Sequence, residues 1–313
     1  MKITHLITGL LALSSILTLS GCQNKETKEA NRPKALVYVE SIYEQRLAKW
    51  PVEYEEMMIP TRYGLTHVVV SGAQEAPALV LIHAMGIGST MWLSNIASLS
   101  ENHRVYAVDT IGDLNKSLLT SDEYFPKKGA DYSLWLTDLF DALGVDQAGI
   151  IGASMGGWIA MNHALYAPER VSKVALLGPM GIRSNVVNVS TRLTSILLNP
   201  SEKNKHSLIS WALGENPIVQ KDYAEYMYYA VECPGKMGFP SNLPSEDLKK
   251  LKAPVMLFLG GEDRPIGKPE PVAKKAKKYL SAIEVVILPG VGHLINIEAP
   301  EEVNKGLLHF FDN

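Results

Sequence analysis

Residues 147–166 read QAGIIGASMGGWIAMNHALY, an apolar run, then Gly152, Ala153, Ser154, Met155 and Gly156, then a helical run from Trp158 onward. A bare GxSxG pattern arises often by chance. Flanked by a strand on one side and a helix on the other, it reads as a nucleophile elbow, a turn so sharp that the serine backbone is strained and its hydroxyl stands clear of its neighbours. Gly152 and Gly156 have a steric reason to be there, because strand and helix pass too close for side chains at those places.

A serine hydroxyl is a poor nucleophile at neutral pH, so it needs a base within hydrogen-bond reach and a third group to orient that base. His293, in the glycine-rich segment Gly290, Val291, Gly292, His293, follows the last apolar run and is the candidate base. The candidate acids stand at the ends of strand-like runs: Asp263 after Gly260, Gly261 and Glu262, with Glu262 itself and Asp109 as competitors. Attack on a carbonyl also calls for two backbone N–H donors facing the developing oxyanion. Met155, just after the serine at a helix start, is one; Met85, in the loop His83, Ala84, Met85, Gly86, Ile87, Gly88, is the other.

Working outward, apolar runs at 78–82, 105–108, 147–151, 174–177, 255–259 and 285–288 alternate with helical segments. Continuous apolar strands of this kind belong to a parallel sheet covered on both faces, so the expected fold class is α/β. Ahead of them, 54–59 and 65–70 read as an antiparallel hairpin, and 34–50 as an amphipathic helix closed by Pro51. Between 182 and about 247 the rhythm is broken by helix-like segments without a strand, expected to form a cap. Leu197, Leu198, Trp211, Tyr223, Tyr226, Met227, Tyr228, Tyr229, Met237 and Phe239 are expected to supply its core and, in part, the pocket wall.

The chain has 313 residues, 46% of them hydrophobic, and a formal net charge of −3. That is enough for one large domain, and the absence of a dense basic run argues against nucleic acid as a partner. Lys274, Lys275, Lys277 and Lys278 are expected on the solvated face of one helix. Nothing implies an obligate protein partner.

Residues 1–21 are of another kind. Lys2 and His5 precede an apolar stretch over 6–19, too short to span ~30 Å of hydrocarbon comfortably, followed by Ser20, Gly21 and Cys22. This is expected to be an export signal. The polar run 22–33 then reads as a tether to a domain over 34–313. The segment around Cys22 resembles the lipobox of bacterial lipoproteins, which implies a lipid on the Cys22 sulfur, cleavage before it, and anchoring at the outer face of the cell membrane. Cys233 would then be the remaining thiol, expected as a partly buried structural residue.

Taken together, YGLTHVVVSG, LVLIHAMGIGSTMW, VYAVDTIGD and GASMGGWIAMNHA, with the order Ser154, Asp263, His293, resemble the α/β-hydrolase superfamily, and in style the carboxylesterases of bacilli. The resemblance favours Asp263 as the acid and implies ester hydrolysis through an acyl-serine, with no metal or organic cofactor. It departs from the usual pattern at Ala84, where a glycine is common, and at Leu114 and Asn115 before Ser117. The scaffold also hosts exopeptidases, lactonases, C–C bond hydrolases and cofactor-free haloperoxidases. An exopeptidase would need an anchor for the peptide amine, for which Glu215, Asp222, Glu225 and Glu232 are available. A ligand-binding protein that kept its triad is the remaining alternative.

Overall fold

The computed structural model describes residues 25–184 and 186–313, so the leader and Cys22 lie outside the described residues. Helix α1 (Lys25–Leu47) leads into a hairpin of β1 (Tyr54–Thr61) and β2 (Gly64–Ser71). The βα rhythm then runs β3 (Ala78–Ile82), α2 (Ile96–Ser100), β4 (Arg104–Val108), the short β5 (Leu118–Leu119), α3 (Gly129–Leu143), β6 (Ala148–Ala153), α4 (Met155–Tyr166) and β7 (Val171–Leu177). After the insertion come β8 (Val255–Gly260), α9 (Pro269–Tyr279), β9 (Ile283–Leu288), α10 (Ile295–Glu298) and α11 (Pro300–Asp312).

The strands form one sheet in the order β1-β2-β4-β3-β6-β7-β8-β9, with β5 paired to β2. From β4 to β9 the pairs are parallel, and only the β1, β2 and β5 pairings are antiparallel. The alternation hidden in the apolar runs is visible in the core. Val80, Ile82, Ile150, Leu176 and Leu257 point to the face covered by Trp135, Phe140 and Trp158 of α3 and α4. Leu79, Leu81, Ile151, Ala175 and Phe258 point to the other, against Trp92, Leu307 and Phe310. The central strands β3, β6 and β8 are wet on neither side, which is why they need no polar residue, whereas the edge strand β9 is half-exposed and carries Glu284.

The chain passes from β3 to β4 on one side and then to β6 on the other, with Ile82 opposite Gly152 across the β3/β6 pair. At such a reversal of strand order the loops leaving the two carboxyl ends diverge and open a crevice between them. The loop of His83 to Gly88 and the turn at Ser154 are the walls of that crevice.

The insertion between β7 and β8 carries α5 (Val186–Leu198), α6 (Glu202–Leu213), α7 (Pro217–Glu232) and α8 (Ser245–Leu248). Each of α6 and α7 is capped by a side chain, Ser201 accepting from the Asn204 N–H and Asn216 from those of Ile218 and Val219. Tyr223, Tyr226 and Cys233 are buried. Leu198 and Phe239, expected inside the cap, stand exposed at 81% and 43%. Leu198 is the last residue of α5 before Asn199 and Pro200, and Phe239 sits in an irregular segment, so helical spacing does not govern either.

Two further differences from expectation concern helix margins and lysines. Helix α1 is already helical at Lys25, the first described residue, and so runs through residues 25–33 expected as tether. The Lys, Glu and Ala residues of 25–30 are good helix formers, which a reading keyed to apolar periodicity overlooks. In α9, Lys274, Lys277 and Lys278 are exposed as expected, but Lys275 is half-buried and donates to the Ile182 carbonyl at 2.6 Å.

Helix α1 is tied to the rest by Arg46, which is 8% exposed. Its Nε donates to Thr90 Oγ1 at 3.0 Å and its guanidinium to the Asp222 carbonyl at 2.9 Å, while the group lies 3.9 Å above the Tyr223 ring. One side chain thus joins α1, the turn at residues 89–94 and the cap helix α7. Arg46→Ala is expected to cost about 2–3 kcal/mol, because it removes the hydrogen bonds to Thr90 and to the Asp222 carbonyl and strips the Tyr223 face. Denaturant unfolding checks the loss, and amide exchange should rise in α1 and α7 before the sheet.

Candidate active site

Ser154 stands between β6 and α4 with φ 51° and ψ −111°, the only non-glycine at positive φ among the described residues. Its N–H continues the sheet to the Leu177 carbonyl at 2.9 Å, and its own carbonyl accepts from Gly157 and Met180. A Cβ on Gly156 would overlap the Ile82 carbonyl, and one on Gly152 the Gly156 carbonyl. The strand and helix therefore close on each other across the serine, and the turn has no room to relax.

Ser154, His293 and Asp263 lie in a hydrogen-bonded line. His293 Nε2 is 2.9 Å from Ser154 Oγ, and His293 Nδ1 is 2.9 Å from Asp263 Oδ2. Asp263 Oδ1 also accepts from the Ile266 N–H at 2.8 Å, which fixes the carboxylate plane. Glu262 is exposed, whereas Asp263 is buried at 4%. Asp109 is fully buried elsewhere, with Oδ2 3.0 Å from His67 Nδ1 and Oδ1 accepting from the Ser89 N–H at 2.8 Å. Geometry thus separates the three candidate acids.

Two residues that sequence reasoning missed make this line possible. Gly178, at φ 50° after β7, gives up the volume that the pair needs: a Cβ there would lie 2.8 Å from Asp263 Oδ2 and 3.4 Å from His293 Nδ1. Glu298 steadies the histidine loop by accepting the Gly292 N–H at 2.9 Å. Burial pushes the Glu298 carboxyl above the usual carboxylate range, with that N–H pulling against it. No local signal marks either one, since each is defined by what approaches it in space.

The second loop of the crevice is set by its peptides. The Thr110 N–H donates to His83 Nε2 at 2.9 Å, so the ring proton is on Nδ1, which donates to the Ala84 carbonyl at 2.7 Å. In a trans peptide the following N–H, that of Met85, points away from that carbonyl. The Met155 N–H lies in the first turn of α4, where a helix has no acceptor of its own to offer. Ala84 has no positive φ, so an alanine fits where a glycine is common.

Burial works against a charged His293, but the Asp263 carboxylate beside it, helped by Glu298, prevails and lifts the imidazole above its usual value. An NMR titration should therefore place the His293 midpoint above 6.5, and Asp263→Asn should bring it down. The sign for stability follows from the raised folded value. The contribution linked to His293 is full below the unfolded midpoint near 6.5 and fades as pH rises through the folded one, so the gap between wild type and Asp263→Asn should narrow on going alkaline.

The sequence profile described as the alpha/beta hydrolase family matches residues 79–305. Two relatives from Bacillus subtilis (strain 168) are each 33% identical to this chain, an uncharacterized carboxylesterase, nap, over 282 residues and the carboxylesterase YbfK over 280. Each alignment covers 86% of this chain and 91% of the relative. The crystal structure of naproxen esterase (carboxylesterase NP) from Bacillus subtilis superposes with a TM-score of 0.80 at 31% identity, covering 88% of this chain and 97% of that one.

Proposed function

The chain belongs to the alpha/beta hydrolase family, and on that premise we propose that it is a serine carboxylesterase acting on small or medium esters with an apolar portion, held at the outer face of the cell membrane by lipid on Cys22. The observation that carries the enzymatic part is the line Ser154, His293, Asp263, with 2.9 Å at both joints.

In the cycle that this line supports, Ser154 Oγ attacks the ester carbonyl carbon while its proton passes to His293 Nε2. Asp263 accepts the hydrogen bond from Nδ1–H, holds the ring in the tautomer whose Nε2 is free, and stabilises the imidazolium. The carbonyl oxygen, now negative, takes hydrogen bonds from the Met85 and Met155 N–H groups, where one donor is worth about 3 kcal/mol in the transition state. Collapse breaks the bond to the alcohol, which leaves with the proton from Nε2. Water then repeats the sequence on the acyl-serine, with His293 as base, and releases the acid. The cycle calls on no metal or organic cofactor.

Esters are favoured over amides by the relatives named carboxylesterases. Three of the four acidic residues considered as an amine anchor also have other occupations. Glu215 pairs with Arg264 at 2.6 Å, the Glu225 carboxylate accepts from the Tyr38 hydroxyl, and Glu232 pairs with Lys205.

Ser154→Ala is expected to lower turnover of short p-nitrophenyl esters by a factor on the order of 10³ or more and to abolish labelling by a fluorophosphonate probe. Wild-type protein that neither turns over such esters nor takes the probe at Ser154 would refute the enzymatic reading. The anchoring part rests on sequence, on the apolar stretch ending in Leu19, Ser20, Gly21, Cys22. Cys22→Ala should abolish incorporation of labelled fatty acid and release or trap the precursor, and membrane retention without lipid would count against it.

A further inference from the structure

The loop that carries Met85 is held from behind by one other loop. Between β4 and β5, residues 109–117 meet it through three backbone N–H groups: Asp109 Oδ1 accepts from the Ser89 N–H at 2.8 Å, the Thr110 N–H donates to His83 Nε2 at 2.9 Å, and Asp113 Oδ2 accepts from the Gly86 N–H at 2.7 Å. The first two lie at the ends of the segment. The third lies at the peptide that joins Met85 to Gly86, so it acts on the donor residue itself.

The geometry points to Asp113 as a positioning residue for the oxyanion hole, a carboxylate that sets the orientation of the Met85 backbone without touching substrate. The inference rests on the reading of Met85 as an oxyanion donor. Asp113 is 5% exposed, and its other oxygen accepts the Leu114 N–H at 2.8 Å, so both oxygens are engaged by backbone donors. Burial pushes its carboxyl above the ordinary value, with His83 and these two N–H groups drawing it back. A carboxylate kept in such a place at that cost needs a use, and the use in view is the Gly86 peptide.

With the Ala84 carbonyl turned to the His83 ring and the Gly86 N–H turned to Asp113, the peptides on both sides of Met85 are fixed. The Met85 N–H then has one direction open to it, away from both anchors. Gly86 is at φ 71°, and a Cβ there would lie 2.9 Å from that of Ala230, so the cap closes the remaining side. The loop cannot rotate the donor out of place while Asp113 holds.

The test compares wild type, Asp113→Ala and Asp113→Asn for ester turnover and for affinity toward an aryl trifluoromethyl ketone, in which Ser154 Oγ adds to the carbonyl carbon and the oxygen becomes an oxyanion. Asp113→Ala should lower kcat on the order of a hundredfold with KM little changed, and weaken the ketone by a similar factor. Asp113→Asn, which keeps one acceptor oxygen, should recover part of both. A folded Asp113→Ala with wild-type kcat and ketone affinity overturns the inference. So does failure of both variants to fold, which would make Asp113 part of the framework instead. Fluorophosphonate labelling of the wild type is the separate control: without it the serine hydrolase reading falls and takes this inference with it, whereas labelled wild type and unaffected variants leave that reading intact.

Discussion

A serine cannot rest at φ 51° unless its surroundings leave it nowhere else to go. Such a backbone costs on the order of 1–3 kcal/mol, and it is sustained by the contact of α4 with β6 and β3, in which Gly152 lies against the Gly156 carbonyl and Gly156 against the Ile82 carbonyl. That contact has two consequences at once. It brings α4 close to β3, whose carboxyl end starts the loop bearing Met85, and it sets the first turn of α4 beside the hydroxyl. The candidate nucleophile and both candidate oxyanion donors are therefore placed by one packing constraint, and the strain is stored at Ser154 itself.

The rest of the site is assembled by the sheet. Leu177 is opposite Phe258, and Gly260 is opposite Leu288, so the loops leaving β7, β8 and β9 emerge side by side along one edge. Gly178, Asp263 and His293 come from those three loops, and each occupies space that the previous one leaves. The electrostatics are local to this edge. Asp263 raises His293, while the other buried histidine pairs lie at a distance: His67 between Glu56 and Asp109, lifted above its usual value against its burial, binds β1, β2 and the end of β4 to one another.

What could be read from the sequence follows a pattern. The parallel strands were legible because burial on both faces removes polar residues and leaves runs such as Leu79 to Ile82 unmistakable. Ser154, Asp263 and His293 were legible because each follows a strand directly, so order along the chain equals order along the sheet edge. Arg46, Asp113, Gly178 and Glu298 were not. Arg46 finds its partners at Thr90 and Asp222, and Gly178 is explained only by Asp263 and His293. The start of α1 and the exposure of Leu198 and Phe239 were missed for the opposite reason, since short-range patterns were asked to decide matters that propensity or chain geometry decides.

The cap is attached to the machinery through the same parts that brace the oxyanion loop. Tyr226 of α7 is fully buried, donates to the Leu114 carbonyl at 2.8 Å, and packs with Val39 of α1 and with Leu114 itself. Arg46 joins α7 to Thr90 just beyond the loop. The sheet edge carrying Ser154, Asp263 and His293 meets α7 through packing, where α10, just after His293, lies against it. A shift of α7 would thus be felt by the loop of Met85 through its support at residues 109–117, and by the segment after His293 through its packing on α7. The cap is therefore mechanically linked to the candidate oxyanion loop by hydrogen bonds and to the neighbourhood of the candidate base by apolar packing, so neither half of the candidate site is isolated from it.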